Sequence, residues 1–471
     1  MVWKSGRGFM KNRIVHILVG LLLGTAVLVA LPDSFSMQAR VASGVIMLML
    51  YWWITGPVHL AITALVPLVV NSIYEMIPMK GMLEDYFNPI VLLIFGASIL
   101  TAAWSIHGLD RRVALKALSS FGMSVNRQVA IFFLISLAMS AFMPNMVVVA
   151  ALCPIAFSVV GFSGLGADTK VSYAFLLAIA WGAGLGGFAT PMGGAMNLVV
   201  ISNIENLTGR EFLYWQWVIN ALPYIIILAG VTLMYLLVIR KENKNLPGTR
   251  EHYAGQLSAL GKMKRGETYS LIMLAAAVLV SFARPFYQNI LPGLTPQFVF
   301  LAIGILAFFV RVEDKKPLID WKQANQKINW GLMILFAGGI ALGGLIVDTG
   351  AAGTMAELIS GSGGRAILPM IALAVAVGMF LANTSSNTAA CAITIPLVVS
   401  VSTGLGINPL VPVFITAASC NSAFALPTSI RAVPVGYGLD TGFMFRRGIA
   451  INGILYLVLV SAGYIAYMLF G

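Results

Sequence analysis

The chain alternates long apolar runs with short polar interruptions, and the spacing of the interruptions predicts its elements. A bilayer core about 30 Å thick needs roughly 20 apolar residues of helix. Runs near 14–31, 39–55, 57–75, 88–106, 172–202, 214–240, 268–284, 297–311, 329–350, 407–440 and 449–470 meet that need, which predicts eleven spans. Two further runs, 128–162 and 368–402, have 35 residues each. Either one as a single helix would be about 52 Å long at 1.5 Å per residue. Each carries a polar break near its middle, Pro144-Asn145 and Ser386-Asn387. Two half-length helices meeting at such a break form a re-entrant hairpin that enters and leaves on the same side.

The two halves of the chain carry matching marks. Asn145 precedes Pro154 by nine residues, and Asn387 precedes Pro396 by nine. Downstream, GFATPMGGAMN (Gly187 to Asn197) aligns with AFALPTSIRAV (Ala423 to Val433) through Pro191 and Pro427. Upstream, LLIFGASIL (Leu92 to Leu100) resembles MILFAGGIAL (Met333 to Leu342). One unit holds an odd number of spans, so the second copy is inverted. Inverted repeats with broken helices are the usual construction of secondary transporters, with the substrate site where the breaks meet near the midplane.

Charge orients this arrangement. The chain has 29 Lys and Arg. With the N-terminus in the cytoplasm and both hairpins same-sided, 23 of them fall inside. Arg40, Lys80, Arg210, Arg284 and Arg365 fall outside, and Arg431 falls within a span. This is the asymmetry of a cytoplasmic N-terminus and an external C-terminus in the cytoplasmic membrane. The first apolar run is long enough to span, and no small-x-small cleavage site follows it.

Composition agrees. The chain is 59% hydrophobic and only 10% charged over 471 residues, with mean hydropathy +0.91, against about 25% charged residues in soluble domains. The net charge of +12 is loop charge and does not point to nucleic acid. Cys153, Cys391 and Cys420 lie inside apolar segments and form no disulfide framework. There is no metal-ligand cluster, phosphate loop or pair of buried acids, so neither a cofactor nor an enzymatic activity is expected.

The stretch LANTSSNTAAC (Leu381 to Cys391) places six polar side chains in a row inside an apolar segment. Irregular backbone at membrane depth survives only where protein or water surrounds it. Breaks are expected at Pro144-Asn145, Thr190 to Asn197, Ser385 to Thr388, and Pro427 to Pro434. Helix N-termini at the breaks offer N–H groups to an anion, and Asn and Thr side chains add neutral donors. The candidate substrate-binding set is Asn145, Thr190, Pro191, Gly193, Gly194, Asn197, Ser385, Ser386, Asn387, Thr388, Pro427, Thr428, Ser429 and Arg431. An arginine in a span costs at least roughly 2.5 kcal/mol. Arg431 has two readings: it faces a cavity and meets an anionic substrate, or its guanidinium bonds backbone carbonyls freed at the 427–434 break. His59, after Gly56-Pro57, reads as packed.

Ser386-Asn387-Thr388, WWITGPVHLAITALVPLVV (Trp52 to Val70) and SIHGLDRRVAL (Ser105 to Leu115) resemble the divalent anion:sodium symporter family, the INDY-type dicarboxylate transporters, over nearly the whole chain. The resemblance implies an all-α polytopic homodimer with scaffold and transport domains moving as an elevator, and transport of di- or tricarboxylates, with substrates such as succinate, malate, fumarate or 2-oxoglutarate. On that pattern residues 1–127 are scaffold with an interfacial helix at 110–127, and 128–213 form the first half of the transport domain. Residues 214–367 are scaffold with a cytoplasmic loop at 241–267, and 368–471 form the second half of the transport domain. The sequence departs from the family at the first tip, Pro144-Asn145-Met146, which lacks the Ser and Thr. It departs again in the loops Gly193-Gly194-Ala195-Met196-Asn197 and Ser429-Ile430-Arg431-Ala432-Val433. Lost side-chain oxygens and a guanidinium in the second loop predict that the sodium sites are gone and that Arg431 is a tethered cation. Dicarboxylate exchange without sodium then follows. Sodium symport, and transport of sulfate or another small divalent anion, are the alternatives.

Overall fold

The structure is a computed structural model. It describes residues 6–33, 35–119, 124–164, 166, 169–238, 245–246, 248–313, 316–350, 367–384 and 386–470. Among these there is no strand, only two isolated bridges, Ser124 to Asn245 and Arg311 to Pro317. The protein is an all-α polytopic membrane protein. Eight helices among the described residues are long and apolar enough to cross a bilayer, and a ninth span is a pair bent by 60° between Trp321–Lys327 and Trp330–Leu345.

Of the remaining predicted spans, 39–55 is one unbroken helix and the others are interrupted or short. The run 39–55 is helix Met37–Thr55, closed by Gly56 in the left-handed region at φ 62°. The run 57–75 is divided into Leu60–Thr63 and Val66–Tyr74. The helix in 297–311 covers only Pro296–Leu306. Both long apolar runs are hairpins. Val125–Ser140 turns into Asn145–Phe162, and Ile367–Thr384 turns into Asn387–Gly404. In each pair the two helices pack on one another. The second helix of each has 18 residues with its proline inside, Pro154 or Pro396. The runs 172–202 and 407–440 are broken helices. The first consists of Lys170–Gly186 and Ala195–Thr208. The second consists of Leu410–Asn421, a 3-10 turn at Ser429–Arg431 and Ala432–Gly436.

Glycines set the closest approaches. A Cβ at Gly182 would lie 2.5 Å from the Phe133 carbonyl oxygen, and one at Gly186 would lie 2.1 Å from that of Leu137. The first broken helix therefore touches the first hairpin backbone to backbone, as small residues allow between membrane helices. Gly96 meets the Phe300 backbone in the same way, and Gly338 meets Ala64. The last helix, Thr441–Phe470, lies on Ile367–Thr384 and Leu410–Asn421. Helix Tyr214–Val238, grouped with the scaffold on the sequence, packs on Lys170–Gly186, Val125–Ser140, Leu410–Asn421 and Thr441–Phe470.

The loop expected at 241–267 contains a helix, Thr249–Ala259, started by Gly248 in the left-handed region. It docks on the base of the first hairpin. Tyr253 is fully buried and its hydroxyl donates to Gln128 Oε1 at 2.9 Å. The His252 ring stacks on Phe162 at 4.4 Å. The interfacial helix expected at 110–127 is Leu109–Ser119, and residues 120–123 lie outside the described residues. Its Arg112 pairs with Glu267 at 2.7 Å and donates to the Gly261 carbonyl at 2.8 Å.

Candidate functional site

Each hairpin tip starts a helix whose first N–H groups have no intrahelical acceptor. At the second tip Ser386 is the N-cap, its Oγ accepting from the Ala389 N–H at 3.1 Å. Asn387 is 8% exposed and its Oδ1 is buried without a partner. Thr388 is half-buried beside it. Asn383, on the other side of the tip, stitches the hairpin to the second broken helix. Its Oδ1 accepts from the Ala425 N–H at 2.8 Å, and its carbonyl accepts from the Thr428 hydroxyl at 2.8 Å. Ser385 lies outside the described residues. At the first tip Pro144 is the N-cap and makes no side-chain cap bond. Asn145 Oδ1 accepts from the Ser140 hydroxyl at 2.7 Å.

The loops of the broken helices fold against these tips. In the first, Thr190 donates to the Ala141 carbonyl and accepts from the Gly193 N–H at 3.2 Å. Asn197 is fully buried, and its Nδ2 donates to the Gly187 and Thr190 carbonyls at 2.6 and 2.7 Å. Its Oδ1 has no partner. A Cβ at Gly193 would lie 2.8 to 3.0 Å from the carbonyl oxygens of Ser140, Ala141 and Gly187, so a larger residue would displace the oxygen-rich floor of this break. In the second loop Ser429 sits at φ 53°. That is uncommon for a residue with a side chain, and such backbone strain clusters at ligand sites.

Arg431 corrects the first of its two sequence readings. It is 1% exposed and does not line a cavity. Its guanidinium is consumed by oxygens: Nη1 to the Ala423 carbonyl at 2.6 Å, Nη2 to the Ala382 carbonyl at 2.8 Å, Nε to the Leu426 carbonyl at 2.9 Å, and Nη2 to Thr428 Oγ1 at 2.5 Å. The non-helical stretch 422–428 and the end of helix Ile367–Thr384 leave carbonyls without intrahelical donors, and a planar group with five N–H donors matches several of them at once.

One cavity of about 690 Å³ gathers the breaks, within the roughly 300–1,000 Å³ of ligand cavities. Asn145, Ser386, Asn387 and Thr388 line it from the tips, and Gly193, Gly194 and Ser429 from the broken helices. Thr190, Pro191, Asn197, Pro427, Thr428 and Arg431 do not reach it. Thr190, Asn197, Thr428 and Arg431 instead spend their polar atoms on the loops themselves. The opposite wall was missed by the sequence reading. Helix Pro89–Ile106 contributes Ser98, Thr101 and Ser105, and His59, Asp110 and Lys327 complete that wall. Ser98 falls in the repeated stretch Leu92–Leu100, but nothing in the sequence marks it, Thr101, Ser105, Asp110 or Lys327 as facing the breaks. His59 was set aside as packed, and it is an exposed cavity residue. Among the described residues no cluster of three or more His, Cys, Asp or Glu could hold a metal.

Two hairpin tips and two interrupted helices closing on one solute-sized cavity in an all-helical membrane protein are the parts of a transporter. A family model described as citrate transporter matches residues 50–418. The chain belongs to that family, within the divalent anion:sodium symporter group that its motifs resemble. It is 26% identical to a sodium-dependent dicarboxylate transporter of Staphylococcus saprophyticus, over 98% of this chain and 92% of the relative. It is 28% identical to the corresponding transporter of Staphylococcus aureus, over 95% and 90%. Two solved structures share the fold. The YdaH transporter of Alcanivorax borkumensis matches with TM-score 0.52 and 10% identity, covering 97% of this chain and 98% of its own. MtrF of Neisseria gonorrhoeae, described as illuminating a class of antimetabolite efflux pumps, matches with TM-score 0.56 and 12% identity, covering 98% and 96%.

Proposed function

We propose that this protein is a secondary transporter of dicarboxylates, taking a four- or five-carbon dianion between the two hairpin tips. The observation that carries the reading is the meeting of Asn145 with Ser386, Asn387 and Thr388 in one cavity, although some 240 residues apart. N–H groups and neutral amide and hydroxyl donors there solvate carboxylates without a full protein charge. The relatives named as dicarboxylate transporters support the substrate class. On this reading the N-terminus is cytoplasmic, eleven spans accompany the two hairpins, and the protein works as a homodimer. The moving body consists of both hairpins, both broken helices and the last helix. Its packing adds Tyr214–Val238 to that body.

Coupling is read from the two breaks. A sodium ion wants several oxygen ligands, as hard cations do. At the first break the Ser140, Ala141 and Gly187 carbonyls converge, and the Asn197 oxygen is unpartnered. That favours sodium symport through the first break, in keeping with the relatives' names. At the second break the guanidinium of Arg431 takes the oxygens an ion would need. This favours sodium-independent exchange as the second reading, with Arg431 as fixed cation.

The experiment is uptake of radiolabelled succinate into proteoliposomes, with sodium or choline outside and with or without internal dicarboxylate. Sodium-driven uptake into empty vesicles supports symport. Uptake that needs internal dicarboxylate and ignores sodium supports exchange. Sulfate uptake that succinate does not compete for overturns the substrate class.

A further inference from the structure

With Arg431 turned away, the charge that the cavity offers an anion comes from its far wall. Among the described residues lining it, Lys327 is the one lysine or arginine, His59 the one histidine and Asp110 the one acid. Lys327 ends helix Trp321–Lys327, just before the 60° bend into the next helix. It is exposed and makes no hydrogen bond or ion pair among the described residues. Its neighbours are arranged as donors. Asn329 Oδ1 accepts from the Leu332 N–H at 3.0 Å, which leaves the amide Nδ2 to donate. His59 Nδ1 accepts from the Ala61 N–H at 3.2 Å, which puts the ring proton on Nε2. Asp110 lies within electrostatic reach of Lys327 and offsets part of its charge. It is buried, its Oδ1 is held by the Arg111 N–H at 2.8 Å, and Ser105 lies 3.5 Å from Oδ2.

We propose that Lys327, flanked by Asn329 and His59, forms an anion-collecting vestibule that concentrates small dianions in the cavity before the hairpin tips take them. The inference rests on the proposed anion transport and adds a recognition residue on the wall opposite the tips. Clefts lined by one sign of charge with low-dielectric walls raise local substrate concentration and on-rates by about 10–10³-fold. The effect is one-sided. Lys327 acts on substrate entering from the face that bears it, which is also the face of the basic loops.

The test measures succinate KM in right-side-out and inside-out membrane vesicles for the intact chain, Lys327→Gln and Lys327→Arg. Each is run at ionic strengths of about 0.01 M and about 0.15 M, where charge is screened over about 30 Å and about 8 Å. Lys327→Gln should raise KM about 3- to 10-fold at low ionic strength on the Lys327 face, with maximal rate kept. The difference should narrow at the higher ionic strength, and Lys327→Arg should restore the intact value. An unchanged KM, an equal rise from both faces, or a rise indifferent to ionic strength would overturn the vestibule. Vesicles of the intact chain that carry sulfate and not succinate refute the dicarboxylate reading instead, and the same three arms are then read with sulfate.

Discussion

Replacing Arg431 by alanine removes a group that four oxygens share. The guanidinium makes four hydrogen bonds of 2.5 to 2.9 Å while 1% exposed. Charge-assisted bonds contribute about 1.5–3 kcal/mol each, so their simple sum is about 6–12 kcal/mol. Truncation at a buried charged group costs less than that sum, about 3–5 kcal/mol, because the vacated oxygens recover part of their solvation. The expected result is a fall of roughly 3–5 °C in the unfolding midpoint of the detergent-purified protein. The vacated space presents the carbonyls of Ala382, Ala423 and Leu426 with Thr428 Oγ1, an oxygen set that suits a small cation. Sodium should therefore raise the midpoint of Arg431→Ala more than that of the intact chain, by the mass action of a ligand that binds only the folded state. Choline should not. The assay is thermal unfolding of both proteins across a series of sodium and choline concentrations. A midpoint change under about 1 °C would refute the carbonyl-clamp account. A lost midpoint that sodium and choline leave equally low would refute the idea that the guanidinium stands in an ion's place.

Other substitutions separate the site from its frame. Asn387→Ala should cut succinate transport at least about tenfold, as one fixed donor removed from an otherwise apolar site, with the unfolding midpoint nearly kept because Ser386 caps the helix. Ser386→Ala should instead cost about 1 kcal/mol of stability, read as a lower midpoint. Gly186→Ala forces a Cβ to within 2.1 Å of the Leu137 carbonyl oxygen; overpacking of this kind costs about 1–3 kcal/mol, and expression with a monodisperse size-exclusion profile should fall.

The features legible in the sequence were those with a local cause. A polar break at the centre of a run too long to cross once sets each hairpin, and Asn145 and Asn387 open their second helices where the spacing to proline placed them. The interruption at 187–194 follows from proline and glycine together. What stayed hidden depends on how each loop closes. The oxygens that meet Arg431 belong to residues 382, 423, 426 and 428; only the first lies on a hairpin and the rest are local, so either fate was open until the turn was placed. Thr190 and Asn197 carry the chemistry of ligand donors and use it to hold a loop. Lys327 ends helix Trp321–Lys327 just before a 60° bend and His59 is the N-cap of Leu60–Thr63, and no periodicity encodes either junction. The docked helix Thr249–Ala259 falls in a stretch whose charge reads as loop, yet its Thr249 and Tyr253, and Leu246 just before it, are buried.

That docked helix bears on how the chain is made. The first hairpin ends at Phe162, and the tyrosine that seals its base is residue 253, some 90 residues later. At about 5–20 residues per second of synthesis, the hairpin waits about 5 to 18 s before Tyr253 leaves the ribosome. During that interval the base of a helix pair with a polar tip is unsealed, while Leu109–Ser119, the first broken helix and then Tyr214–Val238 pack on it. Emergence of Tyr253 is the step that ends the wait, so a pause or truncation between 163 and 253 should leave the hairpin as the segment most open to quality-control proteases.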